Sequence, residues 1–99
     1  MGAADDLAGV SVMVDLARAI LSPASDRLHR PLTLLFNGAE ETHQMGAHGF
    51  ISGHRWGTEV RAVINMEAIG GGGREYVFQC NSLLMARAYG RSPTLQTPN

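Results

Sequence analysis

Apolar residues recur three and four positions apart between 9 and 21. Val10, Met13, Val14, Ala17, Ile20 and Leu21 fall on one stripe, which predicts an amphipathic helix packed by that face. Asp5 and Asp6 precede it, where carboxylates complement the free amides of a helix start. Pro23 and Pro31 break the loop SPASDRLHRP, and beyond it LTLLF, 32 to 36, is apolar without alternation. That is the pattern of a strand covered on both faces, which is most simply central and parallel. The segment THQMGAHGFISGH, 42 to 54, predicts a second helix, weakened by Gly46 and Gly49 but offering Met45, Phe50 and Ile51 for packing. VRAVINME, 60 to 67, carries the β-branched Val60, Val63 and Ile64 and predicts a second strand. A turn at 70 to 73, a short strand EYVFQ and a last helix SLLMARAY follow, and the tail from 93 to 99 is polar and expected to fray. Helix and strand alternate, so the expected fold class is α/β, layered, with right-handed crossovers.

Composition narrows the partners. The chain has 99 residues, 44% hydrophobic and 17% charged, which suits one compact piece and gives no sign of two domains. Its 8 basic residues, all arginine, face 9 acidic ones for a net charge of -1, too little basic character to follow a phosphate backbone, so no nucleic-acid partner is expected. Asp15 and Arg18 interrupt the most apolar segment, which is too short to span a membrane, and no signal peptide is visible. Cys80 has no intrachain partner, and the expectation for it is a small buried apolar residue.

The acids carry the chemistry. Glu40 and Glu41 follow the first expected strand in FNGAEE, Glu67 closes the second, and Asp5 stands before the first helix. In an open α/β sheet ligands bind beyond the carboxyl ends of the strands, so these acids point to one site. Left uncompensated they would repel one another and lose hydration, a problem a divalent cation removes. Carboxylates suit zinc, manganese or magnesium, and adjacent glutamates can divide the work, one binding metal while the other takes a proton from water. An isolated Glu-Glu doublet is more often a solvated helix start, and it is the setting after LTLLFNG, matched by Glu67 after VRAVIN, that raises it above that.

The segments GAADDLAGVSVMVDLARAI, LTLLFNGAEETHQMGAHGFISGH and VRAVINMEAIGGGGREYVFQ, in this order, resemble the zinc-dependent aminopeptidase-type metallopeptidases. That family also includes glutaminyl cyclases and glutamate carboxypeptidase, and the likeness runs to its endoplasmic reticulum branch over about residues 2 to 90. The resemblance implies a three-layer α/β/α sandwich with a mostly parallel central sheet, of which residues 1 to 92 would form part. It implies two zinc ions, Asp5 as their bridging ligand, Glu40 as general base, and Glu41 and Glu67 as further metal ligands. It implies a peptide or protein substrate, and an endoplasmic reticulum membrane location through segments outside this chain. Two histidine ligands of the family, one upstream in an H-x-D motif and one far downstream, have no counterpart, so the chain is expected to be an incomplete and by itself inactive piece.

Other residues carry less. His43, His48 and His54 lack the i, i+4 spacing of a helical zinc motif, and His29 falls in a loop. The GGGG run lacks the Lys-Ser/Thr ending of a phosphate loop and reads as a hairpin turn. Trp56 can anchor packing or line a pocket. The competing functions are a non-catalytic peptidase-like interaction domain and, within the same metal chemistry, cyclisation of N-terminal glutamine.

Overall fold

The computed structural model describes residues 2 to 67 and 76 to 92. The described residues form three α-helices, α1 (Leu7–Leu21), α2 (Met45–Gly53) and α3 (Leu83–Gly90), with a 3-10 turn at Gly57–Glu59. The glycine run at 70 to 73 and the tail at 93 to 99 lie outside them.

Helix α1 starts where a carboxylate can cap it. Asp6 accepts from the Gly9 amide at 3.1 Å, which satisfies one of the amides that a first turn leaves without a partner. It ends at Ser22, whose amide reaches the Ala19 carbonyl at 3.3 Å, just before Pro23. Met13, Ala17 and Ile20 are its half-covered side chains on the expected stripe, while Val10, Val14 and Leu21 are exposed. Helix α3 begins in the same manner, the Ser82 hydroxyl accepting from the Met85 amide at 3.4 Å.

Helix α2 folds back on the 3-10 turn. The His54 amide closes on the Phe50 carbonyl at 3.0 Å, and the Gly57 amide on the His54 carbonyl at 2.9 Å. Gly57 is buried there, and a Cβ on it would lie 2.5 Å from the Ile51 carbonyl oxygen and 2.6 Å from that of Phe50, so only glycine permits the approach. Side chains brace the junction. The His54 ring stacks on Phe50 with centroids 4.9 Å apart and meets the Trp56 edge at 5.1 Å, and the Arg55 guanidinium lies 5.2 Å from the Trp56 ring centre. Trp56 therefore packs locally, though it stays exposed.

The sheet is the expectation that the structure overturns. Among the described residues there is no strand, so an α/β sandwich with a parallel sheet does not describe this chain. Residues 32 to 36, 60 to 67 and 76 to 79 lie outside any helix and form no ladder, and among the described residues no backbone hydrogen bond joins one run to another. The reason is physical: an apolar β-branched run favours extended backbone, but a strand exists only when a neighbour accepts and donates its hydrogen bonds. Ile64 is 77% exposed and Val63 70%, and no hydrophobic side chain among the described residues is fully buried. The radius of gyration is 15.0 Å, against about 13 Å for a compact chain of this length. Cys80 also departs from expectation: it is exposed, its thiol donating to the Ser82 carbonyl at 3.2 Å.

Candidate active site

The segment between the apolar run and α2 is a tight turn that carries both glutamates. The Glu40 carbonyl accepts from the Gln44 amide at 2.9 Å, and the Ala39 carbonyl accepts from the Met45 amide at 3.2 Å and the Thr42 hydroxyl at 3.0 Å. Ala39, His43 and Gln44 all take left-handed backbone, with φ of 59°, 63° and 55°. Each such non-glycine residue costs on the order of 1 to 3 kcal/mol and is held only where its surroundings fix it. One element that fixes the turn is Gly46. A Cβ there would strike the Gly38 carbonyl oxygen and crowd the Asn37 side chain at 3.2 Å, so the first turn of α2 seats directly on the backbone that leads to Glu40. The glycine that weakens the helix as a propensity positions it as a contact.

Glu40 is exposed, yet its carboxyl is held above the ordinary carboxylate range. Partial loss of hydration is the largest cause, followed by the negative charges of Glu41, Glu67 and Asp5 in that order. Glu41 acts from the same turn, while Glu67 and Asp5 act on this one carboxyl from separate stretches of chain. Glu67 is steadied by the Asn65 amide, which donates to its carboxylate at 3.4 Å.

Charge interaction and metal ligation have different ranges. Unit charges act on one another across about 8 to 10 Å at ordinary ionic strength, whereas zinc-oxygen bonds are about 2 Å. Among the described residues no group of three or more His, Cys, Asp or Glu side chains could hold a metal ion. Asp5, Glu41 and Glu67 therefore fit a divalent cation in donor chemistry and in charge, but they are not drawn together here as a ligating set. His43 and His48 on either side of the α2 start, and His54 at its end, supply no such group either. His29 lies instead along an apolar groove of about 510 Å³ between Ile20 of α1 and Leu32.

A second cleft, of about 290 Å³ and of mixed polar and apolar lining, opens on Glu40 itself. Its walls include the carboxamides of Asn37, Gln44, Asn65 and Gln79, with Val63 on the apolar side. These amides are absent from the sequence reading. Asn37 and Asn65 could have been found by the logic that found the acids, because each closes an apolar run just before a glutamate. Gln79 has no comparable signal, since only folding brings its segment beside Glu40.

The family model for peptidase family M28 matches residues 1 to 95. The chain belongs to peptidase family M28. Among its M28 relatives, endoplasmic reticulum metallopeptidase 1 of Homo sapiens is 50% identical over 78 residues, which is 79% of this chain and 8% of that protein. The mouse protein of the same name, from Mus musculus, is 44% identical over 79% of this chain and 9% of its own length. A vacuolar membrane protease of Schizosaccharomyces japonicus is 36% identical over 92% of this chain and 10% of its own length. This M28 chain thus spans about a tenth of the length of the curated relatives it matches. No solved structure matches it. Among the described residues no helix is long and apolar enough to cross a membrane.

Proposed function

We propose that residues 1 to 92 are part of the catalytic domain of a metal-dependent exopeptidase, with Glu40 as its general base. The observation that carries this reading is the raised proton affinity of Glu40, caused first by partial loss of hydration and then by the charges of Glu41, Glu67 and Asp5. A carboxylate whose pKa moves up toward the working pH takes a proton from water more readily than an ordinary one, which is how hydrolases tune an acid-base residue. Glu40 would accept the proton of the attacking water and return it to the departing amine. Asp5, Glu41 and Glu67 are the candidates to hold metal. Zinc, of which two ions are expected in the complete domain, would supply charge neutralisation and a more acidic water. Membership of M28 and relatives named as metallopeptidases support this reaction class.

The substrate is then a peptide or protein, and the charge of the cleft favours one end of it. Among the described residues no arginine lines the Glu40 cleft, so no side-chain cation there would pair with a terminal carboxylate of the substrate. That supports the aminopeptidase type. The names of the relatives point to the endoplasmic reticulum; membrane attachment would come through segments outside this chain. One observation favours a second reading, a peptidase-like domain without catalysis: the described residues assemble no three-donor metal group.

Glu40→Gln in the complete protein separates the two. It keeps size and removes the proton acceptor, so turnover should fall by roughly two to four orders of magnitude with bound metal unchanged. Unchanged turnover would remove Glu40 from the chemistry.

A further inference from the structure

We infer that the carboxamide of Gln79, with those of Asn37 and Gln44, holds the backbone of the substrate peptide across the Glu40 cleft. This rests on the exopeptidase reading above and adds positioning residues to it.

The argument starts from what a peptide needs. Each peptide unit presents one N–H donor and one C=O acceptor, and an extended chain end entering a cleft loses water from both. A carboxylate such as Glu40 can only accept, so it leaves the substrate carbonyl unmatched. A carboxamide donates and accepts at once, in the same planar geometry as the peptide unit itself. The cleft places three of them around Glu40: Asn37 from the preceding turn, Gln44 from the start of α2 and Gln79 from a distant segment. Among the described residues none of these three side chains makes a hydrogen bond, whereas the fourth, Asn65, is engaged with Glu67. Their donors and acceptors are therefore available to a ligand.

Size and charge select the class of peptide. The cleft, about 290 Å³, lies at the lower end of ligand pockets, which begin at about 300 Å³. It admits a short extended chain end and excludes a folded surface. Val63 and Ala47 give it a modest apolar wall, and among the described residues no cation lines it to receive a carboxylate. The fitting substrate is an unfolded peptide presented by its amino end, recognised through backbone groups more than through one side chain.

Gln79 is the position to test. Gln44 sits in left-handed backbone and Asn37 lies against Gly46, so substitutions there disturb the turn, while Gln79 is exposed and outside any helix. In the complete protein, Gln79→Leu keeps the bulk and removes the hydrogen bonds. KM for an unblocked peptide should rise by about two- to tenfold, the size of one or two lost neutral hydrogen bonds, with kcat within twofold. Gln79→Asn, which keeps the carboxamide on a shorter stem, should recover part of the loss. A KM unchanged in Gln79→Leu, or a fall in kcat alone, would overturn the assignment. So would a loss that Gln79→Asn shares in full, which marks a packing role. If Glu40→Gln leaves turnover unchanged as well, the exopeptidase reading itself fails; if Glu40→Gln abolishes turnover while Gln79→Leu changes nothing, only the positioning role is lost.

Discussion

Glu67 raises the proton affinity of Glu40, although the two stand at the ends of separate apolar runs. Desolvation contributes more and Glu41 acts alongside, but the contributions of Glu67 and Asp5 are those that tie separate stretches of chain to one site. The sign of its effect on stability follows from linkage. A carboxyl with a raised folded pKa binds its proton more tightly in the folded state, so its penalty is fully present above the folded pKa and is relieved as pH falls through it. In metal-free protein, helix content followed by circular dichroism should therefore rise slightly as pH falls from neutral into the upper carboxylate range. Glu40→Gln should flatten that rise, and an unaltered profile would contradict it.

Gly46 and Gly49 should respond oppositely to alanine. Each gains about 1 kcal/mol of helix propensity on substitution. At Gly49 nothing lies within 4 Å of the new methyl group, so Gly49→Ala should stabilise α2. At Gly46 the methyl meets the Gly38 carbonyl, a backbone atom that cannot swing aside. Gly46→Ala should therefore destabilise by about 1 to 3 kcal/mol, the ordinary range for overpacking. Hydrogen exchange at the α2 amides checks both, with protection rising in one variant and falling in the other.

Removing the α1 cap should loosen that helix from its first turn. Asp6→Ala deletes the acceptor of the Gly9 amide and should cost about 0.5 to 2 kcal/mol. Faster exchange should be confined to the start of α1, and Asp6→Asn, which still presents an oxygen, should lose much less.

The 99-residue chain alone should bind zinc weakly. No three-donor group is formed among the described residues, and carboxylates that merely share a field do not replace directed ligands. Calorimetric titration of zinc into this chain should show no saturable tight site. Two tight sites would mean that Asp5, Glu41 and Glu67 assemble without help from elsewhere.

The helices were legible because their information is local. The period-3.6 stripe and the acid before it place α1 within two residues, since the Asp6 cap lets it begin at Leu7. Helix α2 starts at Met45, three residues after the expected Thr42, because His43 and Gln44 go left-handed. The sheet was not legible in the same sense: LTLLF and VRAVIN state a preference for extended, covered backbone, but pairing belongs to two segments at once and no partner is found among the described residues. The acids were visible as charges at the ends of apolar runs, and their mutual field acts on Glu40. They form no three-donor group among the described residues, and Gln79 was not visible because its place depends on how distant chain segments meet. Membership of the metallopeptidase family and the likeness to its endoplasmic reticulum branch were carried by FNGAEE and INMEA, and the family match and relatives agree with both.

The central claim is that acids from separate segments converge on Glu40, and carboxyl-carbon NMR of that side chain in metal-free protein measures it directly. The predicted result is a Glu40 titration above the ordinary carboxylate range that moves down in Glu67→Gln and again when Asp5→Asn is added. A Glu40 that titrates like a solvated glutamate and ignores both substitutions would contradict it.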